Sequence, residues 1–211
     1  TAATSVTGMV FNLPNTTSNT VARNFVHSLS LSSSTVTGTI AGFQVNGGTT
    51  TYQNNMIRLG IDAAGADITG AYNINAISDL VGTNNYYHNS VYVGGAGIGA
   101  GTGLTFAFNS AVTVNTRNFV SNIFVNALSI GASTGKPYAI NVGGTTANPA
   151  GLLSNYNDLF VSGTGGFVGR FNAMDQLTLA DWRTATGQDF NSISADPQFL
   201  APSGTAATVD L

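Results

Sequence analysis

Asn89-Ser90-Val91-Tyr92-Val93 is the stretch that decides the fold, because the chain returns to this five-residue pattern at intervals of 28 to 36 residues. A polar residue, usually asparagine, opens each copy, and aliphatic residues follow at alternating positions. Such alternation is typical of a strand with one buried face. The other copies are His27-Ser28-Leu29-Ser30-Leu31, Asn55-Met56-Ile57-Arg58-Leu59, Ser121-Asn122-Ile123-Phe124-Val125, Asn157-Asp158-Leu159-Phe160-Val161 and Asn191-Ser192-Ile193-Ser194-Ala195. Copies too short to bury their own apolar face, repeated at a nearly constant interval, predict a solenoid.

The composition favours an all-β chain. Among the 211 residues there is no glutamate, Lys136 is the only lysine, and 26 residues are glycine. The chain therefore lacks two of the usual helix formers, whereas threonine, valine and isoleucine, which suit strands, are abundant. Only 7% of residues are charged, but 43% are hydrophobic, which is too many for a disordered chain.

Between the copies there is room for two more short strands, bounded by glycine-rich turns. Examples that alternate apolar and small polar residues are Thr39–Val45, Ile68–Ile74, Leu104–Phe108, Tyr138–Val142 and Phe167–Phe171. Three strands and three turns in about 33 residues are the make-up of a right-handed parallel β-helix with about six coils. A β-sandwich of antiparallel hairpins is the competing interpretation. We prefer the β-helix because a polar lead residue on the inward face requires a ladder of side-chain hydrogen bonds from coil to coil.

The stacked copies make a definite structural prediction. The aliphatic residues of the copies should form two inward stacks on a single parallel sheet: Leu29, Leu31, Ile57, Leu59, Val91, Val93, Ile123, Val125, Leu159 and Val161. His27, at the lead position of its copy, should replace asparagine in the ladder. His88 stands at a strand start.

Charge and cysteine content exclude several classes of partner. The net charge is −3, and the six cationic residues are scattered, so nothing predicts binding to nucleic acid or to an anionic membrane. No apolar run reaches the length of a membrane span. The chain has no cysteine, which excludes disulfides, thiolate metal sites and a cysteine nucleophile. A Thr/Asn/Ser/Gly-rich chain with so few charges is more typical of large secreted bacterial proteins than of cytosolic enzymes. We expect a single domain over residues 1–211, excised from a longer chain.

The last 40 residues depart from the repeat. Thr178-Leu179-Ala180-Asp181 predicts a capping box that opens a short helix, which carries Trp182 and ends at Gly187. Residues 1–172 would then hold the coils, and residues 173–211 the helix, the last strand segment and the closing segment. The helix, Leu177–Thr186, should cover the end of the solenoid, with Trp182 buried against the last coils.

The closing segment resembles a known group of domains. Leu177-Thr178-Leu179-Ala180-Asp181-Trp182, Thr186-Gly187-Gln188-Asp189, Ser192-Ile193 and Asp196-Pro197-Gln198-Phe199 are together similar to the end of right-handed parallel β-helix domains in large secreted and cell-surface proteins of Bacteroidetes-type bacteria, often exported by the type IX route. The resemblance covers about 25 residues, and the repeats before it match only in style. It implies a β-helix at the bacterial surface, but this fold carries adhesins, stalks, lyases and hydrolases alike.

The titratable residues predict no catalytic residue, no metal site and no cofactor. Asp62 and Asp67 lack the dense oxygen-ligand spacing of a calcium loop and are expected in a solvated loop. Asp181, Asp189 and Asp196 lie in the closing segment, where capping and turn roles explain them. The glycine-rich run 94–101 is followed by no Gly-Lys-Ser/Thr motif, so a turn is expected there and not a phosphate loop.

One column of residues is the candidate binding surface. The fourth position of the repeat should point outward and reads Ser30, Arg58, Tyr92, Phe124, Phe160 and Ser194. These side chains could stack along the sheet or be covered by a loop or by the helix. Alternatively Arg58, Tyr92, Phe124 and Phe160 form an exposed strip that binds a glycan or a protein.

The sequence therefore predicts a non-enzymatic structural or adhesive module, whose partners would be neighbouring domains of the same chain and possibly glycans or a surface protein. A polysaccharide-degrading lyase or glycoside hydrolase is the first alternative. Ice binding is the second, and it would need a flat, regular threonine array. It is disfavoured because several threonines fall at different distances from their copies of the repeat: Thr35, Thr37, Thr39, Thr69 and Thr105.

Overall fold

The computed structural model describes residues 4–32, 38–98, 102–131 and 134–211. In these ranges the chain is nearly all β and winds into stacked parallel sheets, which confirms the predicted parallel β-helix. The long sheets pair their strands in parallel, so the antiparallel β-sandwich is excluded.

Each turn of the solenoid contributes one strand to each of three sheets. The first sheet contains β1 (Ser5–Asn12), β4 (Thr39–Gly47), β7 (Asn73–Asp79), β11 (Leu104–Ser110), β15 (Lys136–Val142), β18 (Phe167–Phe171) and the antiparallel β19 (Met174–Gln176). The second contains β2 (Ser18–Ala22), β5 (Thr49–Gln53), β8 (Thr83–Tyr87), β12 (Arg117–Val120) and β16 (Leu152–Asn155). The third contains β3 (Phe25–His27), β6 (Met56–Leu59), β9 (Ser90–Val93), β13 (Ile123–Asn126) and β17 (Asp158–Val161). A small extra sheet pairs β10 (Ala96–Ile98) with β14 (Ser129–Ile130), and the helix α1 is Leu179–Thr186.

The described strands form five triplets, and β18 begins a further coil. From the first triplet to the last the chain completes about four turns, so the predicted six coils were a slight overcount. Two of the local predictions were also partly wrong. Ile68–Ile74 was wrong for the most part, because the first-sheet strand begins only at Asn73. The run 94–101 was predicted to be a turn, but residues 96–98 form the short strand β10, and residues 99–101 lie outside the described part of the chain.

The predicted asparagine ladder is present at the turn between the second and third sheets. The Oδ1 atoms of Asn55, Asn89, Asn122 and Asn157 each accept bonds from the backbone N–H and the Nδ2 of the asparagine one coil earlier; from Asn55 to Asn89 both distances are 3.0 Å. The ladder residues are Asn24, Asn55, Asn89, Asn122, Asn157 and, at the end, Ser192. The Nδ2 groups of Asn55, Asn89, Asn122 and Asn157 also donate to carbonyls of the second sheet. These bonds satisfy polar groups that the fold buries between coils.

A left-handed residue precedes each of the five asparagines in the ladder. The φ angles lie between 53° and 59° for Arg23, Asn54, His88, Ser121 and Tyr156. This backbone conformation turns the chain sharply and points the following asparagine inward.

The inward stacks of the third sheet follow the prediction in three of the six copies. Ile57 is in register with Val91, and Leu59 with Val93. Leu159 and Val161 continue the same two stacks at the other end. All of these side chains except Val161, which is partly buried, are buried in the core.

The other three copies were aligned in the wrong register. In the first, Val26 is in register with Ile57 and Asn24 is the ladder residue, so His27 points outward and Leu29 and Leu31 follow the end of β3 as partly buried side chains. In the fourth, Asn122 leads, and Phe124 and Asn126 point inward in place of Ile123 and Val125. In the sixth, Ser192 leads in place of Asn191.

The helix closes the C-terminal end as predicted. Asp181 N donates to Thr178 Oγ1 at 3.1 Å and Thr178 N donates to Asp181 Oδ2 at 3.0 Å, which is a complete capping box. Gly187 ends the helix in the left-handed conformation. Trp182 is fully buried, and its ring lies directly on Gly169 of β18.

Candidate functional site

Residues 196–206, called the strap below, cross the outer face of the third sheet from the last coil back to the second. Pro197 and Pro202 keep this segment out of regular structure. Near its far end Gly204 O accepts a bond from Arg58 Nη2 at 2.9 Å, and Ala206 N donates to Ala63 O at 2.9 Å. The strap therefore ties the last coil to the second coil along one side of the solenoid.

Arg58, the first residue of the predicted strip, lies beneath the strap and is fully buried. Its guanidinium donates to the carbonyls of Ile61 and Gly204, each at 2.9 Å. Burial lowers the pKa of Arg58, and the nearby carboxylate of Asp62 opposes that shift. Arg58 thus anchors the strap and is not free to bind a ligand.

Phe124 was wrongly expected to point outward. It is fully buried in the core and stacks against Phe108 at 4.9 Å between ring centroids. Val125 takes the outward position instead, in register with Tyr92 on one side and Phe160 on the other. The outward column is therefore His27, Arg58, Tyr92, Val125 and Phe160.

Between the strap and this column lies a pocket of about 210 Å³. It brings together Tyr92 and Phe160 of the predicted strip and Phe199 of the strap. The Tyr92 and Phe199 rings meet edge to face at 6.1 Å between centroids. Three further residues of the lining, Ser162, Asp196 and Gln198, add polar groups to the Tyr92 hydroxyl.

The phenol of Tyr92 stays neutral at physiological pH. Its pKa is raised by burial first, and then by the negative charges of Asp67 and Asp196, while Arg58 opposes the shift. A neutral phenol both donates and accepts hydrogen bonds. Together with the Asp196 carboxylate it offers the complementary groups that a hydroxyl-rich ligand requires.

A second groove of about 400 Å³ adjoins the pocket, and Pro197 lines both. Its apolar residues are Ile123, Tyr156 and Ile193, and the Tyr156 side chain is 61% exposed. Asp158 lies in this groove, where it accepts a bond from Ala195 N at 3.1 Å. Burial raises the pKa of Asp158, and the charge of Asp196 raises it further.

No known family model, curated protein or solved structure matches this chain.

Asp62 and His27, which the sequence singled out, have local structural partners. Asp62 Oδ1 accepts from the N–H groups of Ala64 and Ala66, each at 2.9 Å, and so shapes its own loop. His27 contacts the hydroxyl of Ser28 at 2.8 Å, and His88 lies exposed in its turn. Across residues 4–32, 38–98, 102–131 and 134–211 no group of three or more His, Cys, Asp or Glu side chains lies close enough to hold a metal ion.

Asp79 is the most strongly perturbed carboxyl, but it lies inside the solenoid. It is fully buried and accepts bonds from Asn84 Nδ2 and Ser110 Oγ, both at 2.8 Å. Burial raises its pKa to about 6. Since no substrate reaches this position, Asp79 belongs to the core and not to a site.

The sequence analysis missed a regular polar array on the outer face of the second sheet. Two columns of side chains stand in register there: Ser18, Thr49 and Thr83 in the first, and Thr20, Thr51, Asn85 and Asn118 in the second. The repeated Ser/Thr-x-Thr/Asn triplets were the available signal. Thr39 and Thr105 lie in strands of the first sheet and not in this array, and Thr35 and Thr37 lie outside the described residues.

The one helix among the described residues is α1, and its eight residues are too few to cross a bilayer.

Proposed function

We propose that this chain is a non-enzymatic structural and adhesive module of a large bacterial extracellular or cell-surface protein, and that it holds a saccharide in the pocket beneath the strap. The observation that carries the proposal is the convergence of Tyr92, Phe160 and Phe199 with the Asp196 carboxylate in one partly open pocket. Concave sites that combine apolar rings with a few polar groups are the usual form of small-ligand sites.

The ligand class follows from the chemistry of the lining. Sugar rings present C–H groups on their faces and hydroxyls around their edges. Aromatic rings contact the faces, and carboxylate, amide and hydroxyl groups bind the edges. With about 210 Å³ the pocket suits one sugar residue, and the adjoining groove leaves room for the next residue of a chain.

The surrounding molecule supports a structural role. The strap, the ladder and the buried Trp182 fasten the solenoid along its side and at one end. The closing motif, which resembles that of β-helix domains in Bacteroidetes-type surface proteins, supports the extracellular placement.

Truncation of Phe160, whose ring lines the pocket, should reduce saccharide binding. On an array of neutral and anionic bacterial glycans, Phe160→Ala should weaken binding at least about tenfold, since removing an aromatic anchor from a small site costs about 1.4 kcal/mol or more. Titration calorimetry with the best glycan would measure the change.

Phe190→Ala is the matched control, because Phe190 is 68% exposed and does not line the pocket. It should bind like the unaltered chain. Absence of binding to every glycan, or an equal loss in both variants, would contradict the proposal.

The same samples test the enzymatic alternative. Asp158, with its raised pKa, and Asp196 would be the two carboxyl groups that glycoside hydrolysis requires. Release of reducing ends that Asp158→Asn or Asp196→Asn abolishes would replace the adhesive proposal with an enzymatic one.

Ice binding is the second candidate function, because the polar array of the second sheet is regular. Its rows are about 4.8 Å apart, and residues i and i+2 within a row are about 6.7 Å apart. Within strands β2, β5, β8, β12 and β16 no charged side chain points outward, since Arg117 is buried and points inward.

If the array orders water as ice does, the protein should show thermal hysteresis that Thr51→Lys, at the centre of the array, removes. Thr105→Ser, at a buried position of the first sheet, serves as the control and should leave the effect unchanged. Freezing and melting points that coincide at millimolar protein would exclude this function.

A further inference from the structure

The two ends of the solenoid differ. At the C-terminal end every sheet is covered: β19 and α1 lie on β18, while residues 188–195 lie on the edges of β16 and β17. Asp189 N donates to Ser154 O at 2.8 Å, and Leu159 N donates to Ile193 O at 2.9 Å. β19 thus pairs with the edge of β18, and backbone bonds from residues 188–195 reach the edges of β16 and β17.

At the N-terminal end the outermost strands are β1, β2 and β3, and no described strand pairs with their outer edges. None of the three contains Lys, Arg, Asp, Glu or Pro. Natural proteins usually protect a free sheet edge with such residues or by covering it. Three unprotected edges at one end therefore indicate that something pairs with them.

The core is also open at this end. Inward residues of the first coil are only partly buried, namely Val6, Met9, Phe11 and Val21. The residues in register with them one coil later are fully buried, namely Ile40, Phe43, Val45 and Tyr52. The side chains of the first coil are less buried because no apolar layer of described residues packs on their outer side.

The first residue of the asparagine ladder indicates what kind of segment would pair with this end. Asn24 N and Nδ2 donate to Asn55 Oδ1 at 3.1 and 2.9 Å, but in the described part of the chain no group donates to Asn24 Oδ1. The Oδ1 atoms of the next four ladder asparagines, Asn55, Asn89, Asn122 and Asn157, each accept two such bonds. Asn24 Oδ1 is therefore an acceptor aligned for one more asparagine in parallel.

The path of the chain shows where that partner would connect. Thr4 O accepts a bond from Thr39 N at 3.1 Å, and Gly38 O accepts the equivalent bond from Asn73 N at 3.0 Å. The chain therefore enters β1 at the same position, relative to the next coil, at which it enters β4 from the preceding coil.

We propose that the open end is a docking surface for one more parallel β-coil, supplied by a neighbouring segment of the same polypeptide and carrying a ladder asparagine that donates to Asn24 Oδ1. A second copy of the chain does not fit this surface. Its C-terminal end is covered by α1 and residues 188–195, and two open ends facing each other would run antiparallel, which offers no ladder donors in register. The proposal is independent of the saccharide pocket, which lies on the side of the solenoid.

The proposal can be tested by adding one coil to the N-terminal end of the solenoid. A copy of residues 38–71, placed directly ahead of residue 4, supplies three strands and the Asn55 amide in the required register. The thermal midpoint should rise by about 5 °C or more. The amides of β1, β2 and β3 should exchange with solvent at least about 100-fold more slowly.

Two controls separate docking from mere lengthening. A scrambled copy of the same residues should give neither the rise in midpoint nor the protection, and Asn55→Ala within the added copy should reduce both. An unchanged midpoint with unprotected β1–β3 amides would overturn the proposal. So would a chain without the addition that is already dimeric at micromolar concentration with these amides protected, because the occupant would then be a second copy.

Discussion

Replacing Trp182 by alanine is expected to lower the free energy of unfolding by about 3–5 kcal/mol, the usual cost of truncating a buried tryptophan. The side chain is fully buried between α1 and β18. A Cβ added at Gly169 would lie 2.1 Å from Trp182 Cε3, so the indole rests on the bare backbone of β18. Its loss would leave a cavity that neighbouring elements cannot fill without moving the helix.

The indole also completes the end of the ladder. Trp182 Nε1 donates to Asp189 Oδ2 at 2.9 Å, and Asp189 Oδ1 accepts from Asn157 Nδ2 at 2.9 Å and from Ser192 Oγ at 2.6 Å. Truncation therefore removes one of three donors to a buried carboxylate. We expect the end coils to lose protection from hydrogen exchange before the middle ones.

Urea unfolding followed by tyrosine fluorescence and circular dichroism would measure the change. Leu177→Ala is the control, because Leu177 precedes the same helix but is 62% exposed, and it should cost less than about 1 kcal/mol. A Trp182→Ala variant that keeps its stability but no longer binds saccharide would show that this segment recognises a ligand.

The sequence predicted those features that depend on neighbouring residues. The capping box of α1 and its left-handed glycine need only residues 178–187, and both are present. The repeated asparagine and the alternating aliphatic residues fixed the solenoid, because only stacked coils satisfy an inward amide in every copy.

Register was harder to predict, because a shift of one residue exchanges the two faces of a strand. Ile123, Phe124 and Val125 are all apolar, so alternation could not decide which of them points inward. The decisive residue is Asn126, whose buried Nδ2 donates to Thr105 O and Tyr138 O. Other copies of the repeat have an aliphatic residue at this inward position. Because the fourth copy has an asparagine there, the alternation of aliphatic residues indicated the wrong register, and Phe124 was predicted to point outward.

The strap was beyond the reach of local patterns. The prediction left open whether a loop would cover the outward column, but nothing near Arg58 indicates that its guanidinium binds a carbonyl 146 residues further on. The pocket arises from this long-range contact, and only Tyr92 and Phe160 of the predicted strip line it.

Replacing Asn89 by alanine, in the middle of the ladder, is expected to destabilise the protein by about 3–5 kcal/mol. The amide is buried and makes four hydrogen bonds: Oδ1 accepts from Asn55 N and Nδ2, and Nδ2 donates to Tyr52 O and Asn122 Oδ1. Alanine leaves both Asn55 donors and the Tyr52 carbonyl without these partners. A buried polar group without a partner costs about 1–3 kcal/mol, and partial relaxation keeps the total below the sum.

The same substitution at the open end gives the control. Asn24 donates from its amide to Asn55 Oδ1 and Ala22 O, but its own oxygen accepts no bond from the described residues. Asn24→Ala leaves fewer polar groups without a hydrogen-bond partner, and this position is only partly buried, so water can replace the lost bonds. The substitution should therefore lower the free energy of unfolding by about 1 kcal/mol. Guanidinium unfolding of both variants would measure the two costs. Equal costs would mean that the ladder contributes no more in the middle of the solenoid than at its end, and that apolar stacking alone holds the coils in register.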